Sequence, residues 1–180
     1  LDYRFNYIEG TLHPDTYFYK YNSLSSEILK KSQNKFFKLS EALWIQKPAD
    51  NPLNSLSEAM ILASIVEKEA GNELEKSIIA GVFLHRLSIG MKLQADPTII
   101  YGLLPNFNGN ITKANLKDKN NPYNTYQIKR LPPTPISTIS QSSLEAVILG
   151  LKNEYLYFVA RGDGTHYFSR NYNEHLDAVK

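Results

Sequence analysis

Hydrophobic and polar positions fall in blocks whose spacing predicts a mainly helical chain with one hairpin near its end. Residues 1–20, LDYRFNYIEGTLHPDTYFYK, are aromatic but carry no helical period, and Gly10 and Pro14 break them into short extended segments and turns. Leu24, Ile28, Phe36, Leu39 and Leu43 then recur at helical spacing, which predicts a helix capped by Asn22 or Ser23 and ended by Pro48. The polar stretch KPADNPLN leads to a second helix. Its start carries the capping-box pattern Ser55-x-x-Glu58, its body is the apolar run from Ala59 to Val66, and Gly71 is placed as its stop. A third helix has Leu74, Ile78, Ile79, Val82, Phe83 and Leu87 on one face and Gly90 at its end. Asp96-Pro97 reads as a cap followed by proline at the first helical position, opening a short helix through Ile99, Ile100 and Tyr101.

From Pro105 to Ser140 the chain is rich in Asn, Pro, Lys and Thr and far exceeds the usual connection of ~4–6 residues; ordered loops of this kind are usually functional. The run SSLEAVILGL reads as a helix. Tyr155–Ala160 and His166–Ser169 read as two strands around the turn Arg161-Gly162-Asp163-Gly164, and Asn173–Lys180 as a last amphipathic helix. No repeat, low-complexity tract or strong boundary interrupts the pattern, so residues 1–180 are read as one α+β domain.

Composition narrows the function classes. A chain of 180 residues with 42% hydrophobic and 21% charged positions is an ordinary globular sequence, and a domain of this size buries roughly 70% of its unfolded surface without help from metal or disulfide. Twenty Lys+Arg against eighteen Asp+Glu give a net charge of +2, with no clustered basic stripe, which argues against nucleic acid. The absence of cysteine excludes disulfides, thiol nucleophiles and Cys-ligated metal, and fits cytosol and periplasm equally. The chain begins at Leu1 and has no apolar run near the ~18 residues of a membrane span, so a soluble piece is expected, with any anchor or signal upstream. Twelve Tyr, eight Phe and one Trp suit surfaces that pack one ring face and keep a hydroxyl wet, as sugar sites do and as plain cores do.

Candidate chemistry is sparse. Phosphate-loop, dinucleotide, nucleophile-elbow and zincin patterns are all missing, and His13, His85, His166 and His175 show no ligand spacing. The informative stretch is ASIVEKEAG, residues 63–71. Glu69 lies seven, four and three residues beyond Leu62, Ile65 and Val66, and so continues their apolar stripe, whereas Glu67 points elsewhere with Ala63 and Ser64. Such a carboxylate is either an amphipathic edge residue at a helix end or an acid set in a partly dry site. Desolvation and the negative end of the helix dipole would both raise its pKa from about 4.3 toward the ~6 of a carboxylic general acid. The commonest partner of such an acid is a glycosidic oxygen. A second carboxylate is then usually required, and Glu67, Glu73, Asp96 and Asp163 are candidates that spacing does not separate; an acetamido group on the sugar would remove the requirement.

Taken in order, IEGTLHPDTY (8–17), ASIVEKEA (63–70), IAGVFLHRLSIGMKLQADPTIIYG (79–102), YNTY (123–126), LPPTPIS (131–137) and YLYFVARGDGTHYFS (155–169) resemble the MltG, or YceG-like, endolytic murein transglycosylases, across almost the whole chain. The resemblance implies a lyase that cuts the β-1,4 bond between N-acetylmuramic acid and N-acetylglucosamine without water and leaves a 1,6-anhydro-muramyl end. It makes Glu69, the second Glu of the E-K-E motif, the single acid and base, with no metal or cofactor. It also implies glycan strands of peptidoglycan as substrate, peptidoglycan synthases as neighbours, and an N-terminal anchor and LysM-like region ahead of the domain, on the outer face of the inner membrane.

Under the same resemblance, Gln94 and Tyr123, Asn124, Thr125 and Tyr126 are expected to contact acetamide and sugar hydroxyls, Tyr101 to face the cleft or the core, and Glu67 to tune Glu69 or face solvent. Asp96-Pro97-Thr98 is read as a helix cap. Two departures stand out: Arg130 to Ser140 lacks the glycines relatives carry in this loop, and His13 replaces the usual aromatic residue. Two other readings stay open: a peptidoglycan-binding module that does not cut, and a muramidase using water and a second carboxylate such as Asp96.

Overall fold

Among residues 5–180, which this computed structural model describes, the apolar blocks become seven helices and one hairpin. In chain order they are α1 (Ser25–Trp44), α2 (Leu56–Glu69), α3 (Lys76–Ser88, led in by a single 3-10 turn at Glu73–Glu75), α4 (Asp96–Leu103), α5 (Lys113–Lys117), α6 (Gln141–Ile148), β1 (Tyr157–Ala160), β2 (His166–Ser169) and α7 (Tyr172–Ala178). The α+β expectation holds, with the helices carrying most of the core. Residues 5–22 form turns and extended segments, as the broken pattern predicts.

Helix α2 is the centre. Every residue from Ala59 to Val66 is buried, and a helix apolar on all sides needs cover on all sides. The cover comes from α6 and α3, with α1 and α4 completing it. Ser55 caps the helix by accepting from the Glu58 backbone N–H, while the Glu58 carboxylate reaches back to the N–H of Asn54. The hairpin lies across α3 and α7. Its register pairs Tyr157 with Ser169, Phe158 with Phe168, Val159 with Tyr167 and Ala160 with His166, and Phe158 packs edge-on against Phe83 at 5.8 Å.

Several local expectations are corrected. Helix α1 begins after Leu24, with no side-chain cap; Asn22 is instead a left-handed turn residue (φ 66°), and the helix stops at Trp44, ahead of Pro48. Leu74 lies in the 3-10 turn and is 93% exposed, because the apolar stripe of α3 starts only with the helix proper. Gly71 makes no left-handed stop: α2 ends at Glu69 over Ala70, and Gly71 serves a close approach, since a Cβ there would lie 2.9 Å from the Gly164 carbonyl oxygen. The stretch read as one long loop contains the short α5, closed by a reciprocal Thr112–Asn115 capping box. The 131–140 segment takes its course without the family glycines, because no residue in it adopts a positive φ; Ile136 N–H donates to the Ser64 hydroxyl and Ser137 Oγ to the Ser64 carbonyl, laying it along α2. His13 is buried, and its carbonyl accepts from Ser32 of α1.

Asn51, unmarked by any sequence pattern, closes the far end of the core. Its amide donates to the carbonyls of Val147, Ile148 and Gly150 at the C-terminus of α6, and its oxygen accepts from Leu53 N–H. Helix-end carbonyls buried without donors are costly, so Asn51→Ala should destabilise the domain by about 2–4 kcal/mol in urea unfolding, whereas a change within ~0.5 kcal/mol would show that other donors replace it.

Candidate functional site

The last turn of α2 delivers Glu69 from the core to the floor of a cleft of about 190 Å³, lined also by Arg86, Leu93, Gln94, Asp96, Tyr126 and Phe158. The surrounding elements fix each of these side chains. Arg86 occupies on α3 the position that Glu69 occupies on α2: it lies seven, four and three residues beyond Ile79, Val82 and Phe83. Its guanidinium is buried and tied down, Nε donating to the Leu156 carbonyl at 2.7 Å and a terminal nitrogen to the Leu93 carbonyl, with Tyr157 beneath it at 5.4 Å. This places one fixed cation in the cleft wall. The spacing that marks Glu69 in the sequence marks Arg86 as well, a signal absent from the pattern of site residues expected above.

Asp96 is not the cap it was read as. Ala95 is the cap residue of α4 and Pro97 fills the first turn, leaving the Asp96 carboxylate exposed at the cleft, where it accepts from the Tyr126 hydroxyl at 2.7 Å. Gln94 stands beside it in a left-handed conformation (φ 51°), uncommon for a residue other than glycine and held here by its N–H to the Thr125 carbonyl.

Burial is the largest influence on Glu69. Desolvation first, and the Asp96 charge second, raise its pKa from 4.5 to about 7; Arg86 pulls the other way and only moderates the rise. The group is therefore close to half-protonated at neutrality. Burial and Asp96 push the Tyr126 phenol upward, so it remains a hydrogen-bond donor.

The other expected site residues divide by burial. Asn124 and Thr125 are fully enclosed, which replaces the sugar contact expected of them with a scaffold role. The Asn124 amide donates to the Asn115 and Asp118 carbonyls; Thr125 Oγ1 accepts from Ala95 N–H at 2.9 Å and lies 2.9 Å from Thr98 Oγ1, tying the Tyr126 loop to the start of α4. Tyr101 and Tyr123 pack against each other at a tilt, ring centroids 4.8 Å apart, outside the Glu69 cleft, with the Tyr123 hydroxyl on Thr134. The Glu67 carboxylate faces α6: burial works against its charge, but hydrogen bonds from Ser140 and Ser143 hold its pKa below the usual range, with Lys76 beside it at 3.4 Å. Among the described residues no three His, Asp or Glu side chains converge as metal ligands.

The fold and cleft define a small α+β domain built around one carboxyl group that can exchange a proton near neutral pH. The chain belongs to the YceG-like family, which it matches over residues 2–180. It is 32% identical over 171 residues to an endolytic murein transglycosylase of Bacillus subtilis, covering 95% of this chain and 47% of that protein. A second endolytic murein transglycosylase, from Streptococcus pneumoniae serotype 2, is 31% identical over 173 residues, covering 93% of this chain and 31% of that one. The chain thus spans less than half the length of these curated relatives. A crystal structure of a YceG-like protein from Listeria monocytogenes superposes with a TM-score of 0.78 at 36% identity, covering 94% of this chain and 54% of that one.

The raised pKa has a stability consequence. Between pH 4.5 and about 7 the unfolded chain gives up the Glu69 proton while the folded chain keeps it, so this contribution is complete below pH 4.5 and is lost as pH rises through about 7. Glu69→Gln removes the loss. The variant should gain about 3 kcal/mol relative to wild type between about pH 4 and about pH 8 in paired urea melts, and a difference independent of pH would contradict the assignment.

Proposed function

We propose that this domain is the catalytic part of an endolytic murein transglycosylase that cuts the N-acetylmuramic acid-β-1,4-N-acetylglucosamine bond and leaves a 1,6-anhydro-muramyl end. The observation that carries the reading is a single partly buried carboxyl group, Glu69, whose pKa of about 7 suits it to both halves of such a reaction. In the first half protonated Glu69 gives its proton to the glycosidic oxygen as the C1–O bond breaks, and the muramyl acetamide carbonyl supports the anomeric carbon. The Glu69 carboxylate so formed is stabilised by Arg86. In the second half it takes the proton from the sugar's 6-hydroxyl as that oxygen closes on C1, which restores the acid. Atoms balance without water.

Gln94 and Tyr126, at the cleft, are the proposed contacts for acetamide and hydroxyl groups, and the Tyr101–Tyr123 pair a proposed extension for a neighbouring sugar. Asn124, Thr125 and Glu67 act through the backbone they hold. Glycan strands are the proposed substrate and peptidoglycan synthases the proposed neighbours. The proposed location is the outer face of the cytoplasmic membrane, by way of an anchor outside this sequence; no helix among the described residues is long and apolar enough to cross a membrane.

Asp96, in the same cleft, favours one second reading, a muramidase in which it activates water. Mass analysis of digested peptidoglycan separates the two. Wild type should yield anhydro ends and Asp96→Asn the same ends at altered rate, while Glu69→Gln should lose ~10²–10⁴ of the activity. The rate should fall above about pH 7 as the acid ionises. Reducing ends would favour the muramidase, and full activity in Glu69→Gln would overturn both.

A further inference from the structure

The hairpin that lends Phe158 to the Glu69 cleft also lines a second cleft, of about 420 Å³, with Arg161, Arg170, Tyr155, His166, Tyr167 and Phe168. The two lie close together, because Phe158 and Phe168 are cross-strand partners, about 5 Å apart across the ladder. Phe158 lines the one cleft and Phe168 the other, so the two are neighbours on the hairpin.

The lining is cationic and aromatic. Arg161 lies over the ring of half-exposed Tyr167 at 5.5 Å and makes no ion pair among the described residues; the Asp163 carboxylate of the same turn feels its charge. Its backbone is fixed at the turn by its N–H to the Thr165 carbonyl and by Asp163 holding Thr165. Arg170 has its guanidinium carbon 5.9 Å from the Tyr155 ring centre and pairs with Glu154 at 2.7 Å, both exposed. The other polar groups facing the cleft are engaged: the His166 ring lies 2.7 Å from the Glu75 carboxylate, and the Glu174 carboxylate accepts from the Asn171 side chain and from the Arg170 backbone N–H at the start of α7. A guanidinium placed over a ring and without an ion-pair partner can offer two N–H groups to a carboxylate. The neighbouring rings suit the apolar groups beside that carboxylate.

We propose that this cleft binds the carboxylate-bearing peptide attached to the muramyl lactyl group next to the bond being cut, an assignment that rests on the murein reading of Glu69. The domain would then prefer strands that carry their peptides, and Arg161 and Arg170 would set that preference without touching the reacting atoms.

Two measurements test it. In the first, wild type and Arg161→Gln/Arg170→Gln digest peptide-bearing strands and the same strands stripped of peptide by an amidase. The double variant should raise KM about tenfold on peptide-bearing strands and less than about twofold on stripped ones, with Arg161→Lys recovering only part of the loss. An equal effect on both substrates, or none, would overturn the proposal. In the second, the free peptide is titrated into the Glu69→Gln domain while NMR follows the Nε–H signals of Arg161 and Arg170. Saturable shifts with the free-acid peptide, absent with the same peptide amidated, support the cleft; equal shifts with both, or with acetate alone, overturn it. This titration needs no turnover. If wild type releases no anhydro ends, the reading of Glu69 fails separately and the titration alone decides the cleft.

Discussion

The structure depends on taking one carboxyl group out of water at the end of a helix that is itself almost wholly buried. Helix α2 cannot exist without cover on every side, and its last residue, Glu69, lies in a cleft that Arg86 of α3 and Asp96 at the start of α4 also line. A carboxylate in that position is penalised by lost hydration, by the carbonyl end of its own helix and by Asp96. Arg86 keeps the penalty from growing so large that the group could never ionise. A proton carrier for both directions of transfer needs this intermediate balance, which comes from two helix ends, α2 and α3, meeting at one cleft.

The rest of the site protects that balance by rigidity. The backbone carbonyls of Leu93 and Leu156 hold Arg86, so its charge stays put when Glu69 changes state. The Thr98–Thr125 contact and the Asn124 amide fix the loop that carries Tyr126, and Tyr126 in turn holds Asp96. On the far side of α2, Glu67 gathers Ser140, Ser143 and Lys76 and locks the start of α6 against it. The two glutamates of the E-K-E motif therefore have opposite electrostatic fates two residues apart. One is held charged by hydroxyl donors, the other is pushed toward neutrality by burial.

Much of this was legible in the sequence, for definite reasons. Period and capping chemistry located α2, α3, α6 and the hairpin, because those elements are specified locally; the seven-four-three spacing behind Glu69 marked it as a stripe residue before any geometry was known. What escaped was tertiary. Spacing could not show that Asn124 and Thr125 turn inward while Tyr126 turns out, since all three lie in one short loop whose facing is decided by α5, which holds Asn124, and by the start of α4, which holds Thr125. Gly71 looked like a helix stop and is instead a gap for the Gly164 carbonyl, ninety-three residues away in the chain. The role of Asn51 was invisible because its partners are the carbonyls of α6, which no side-chain pattern announces. Asp96 was misread because proline placement shifted the helix start by one residue, freeing a carboxylate that capping would have consumed.

The central claim is electrostatic, and it has a direct test. The side-chain carboxyl carbon of Glu69, followed by NMR as pH is varied in wild type and in Asp96→Asn, reports the protonation of this group alone. The account predicts a midpoint near 7 in wild type and a lower one in Asp96→Asn, because the variant loses a negative neighbour while the burial remains. A wild-type midpoint at the ordinary 4.5, unmoved by Asp96→Asn, would contradict it.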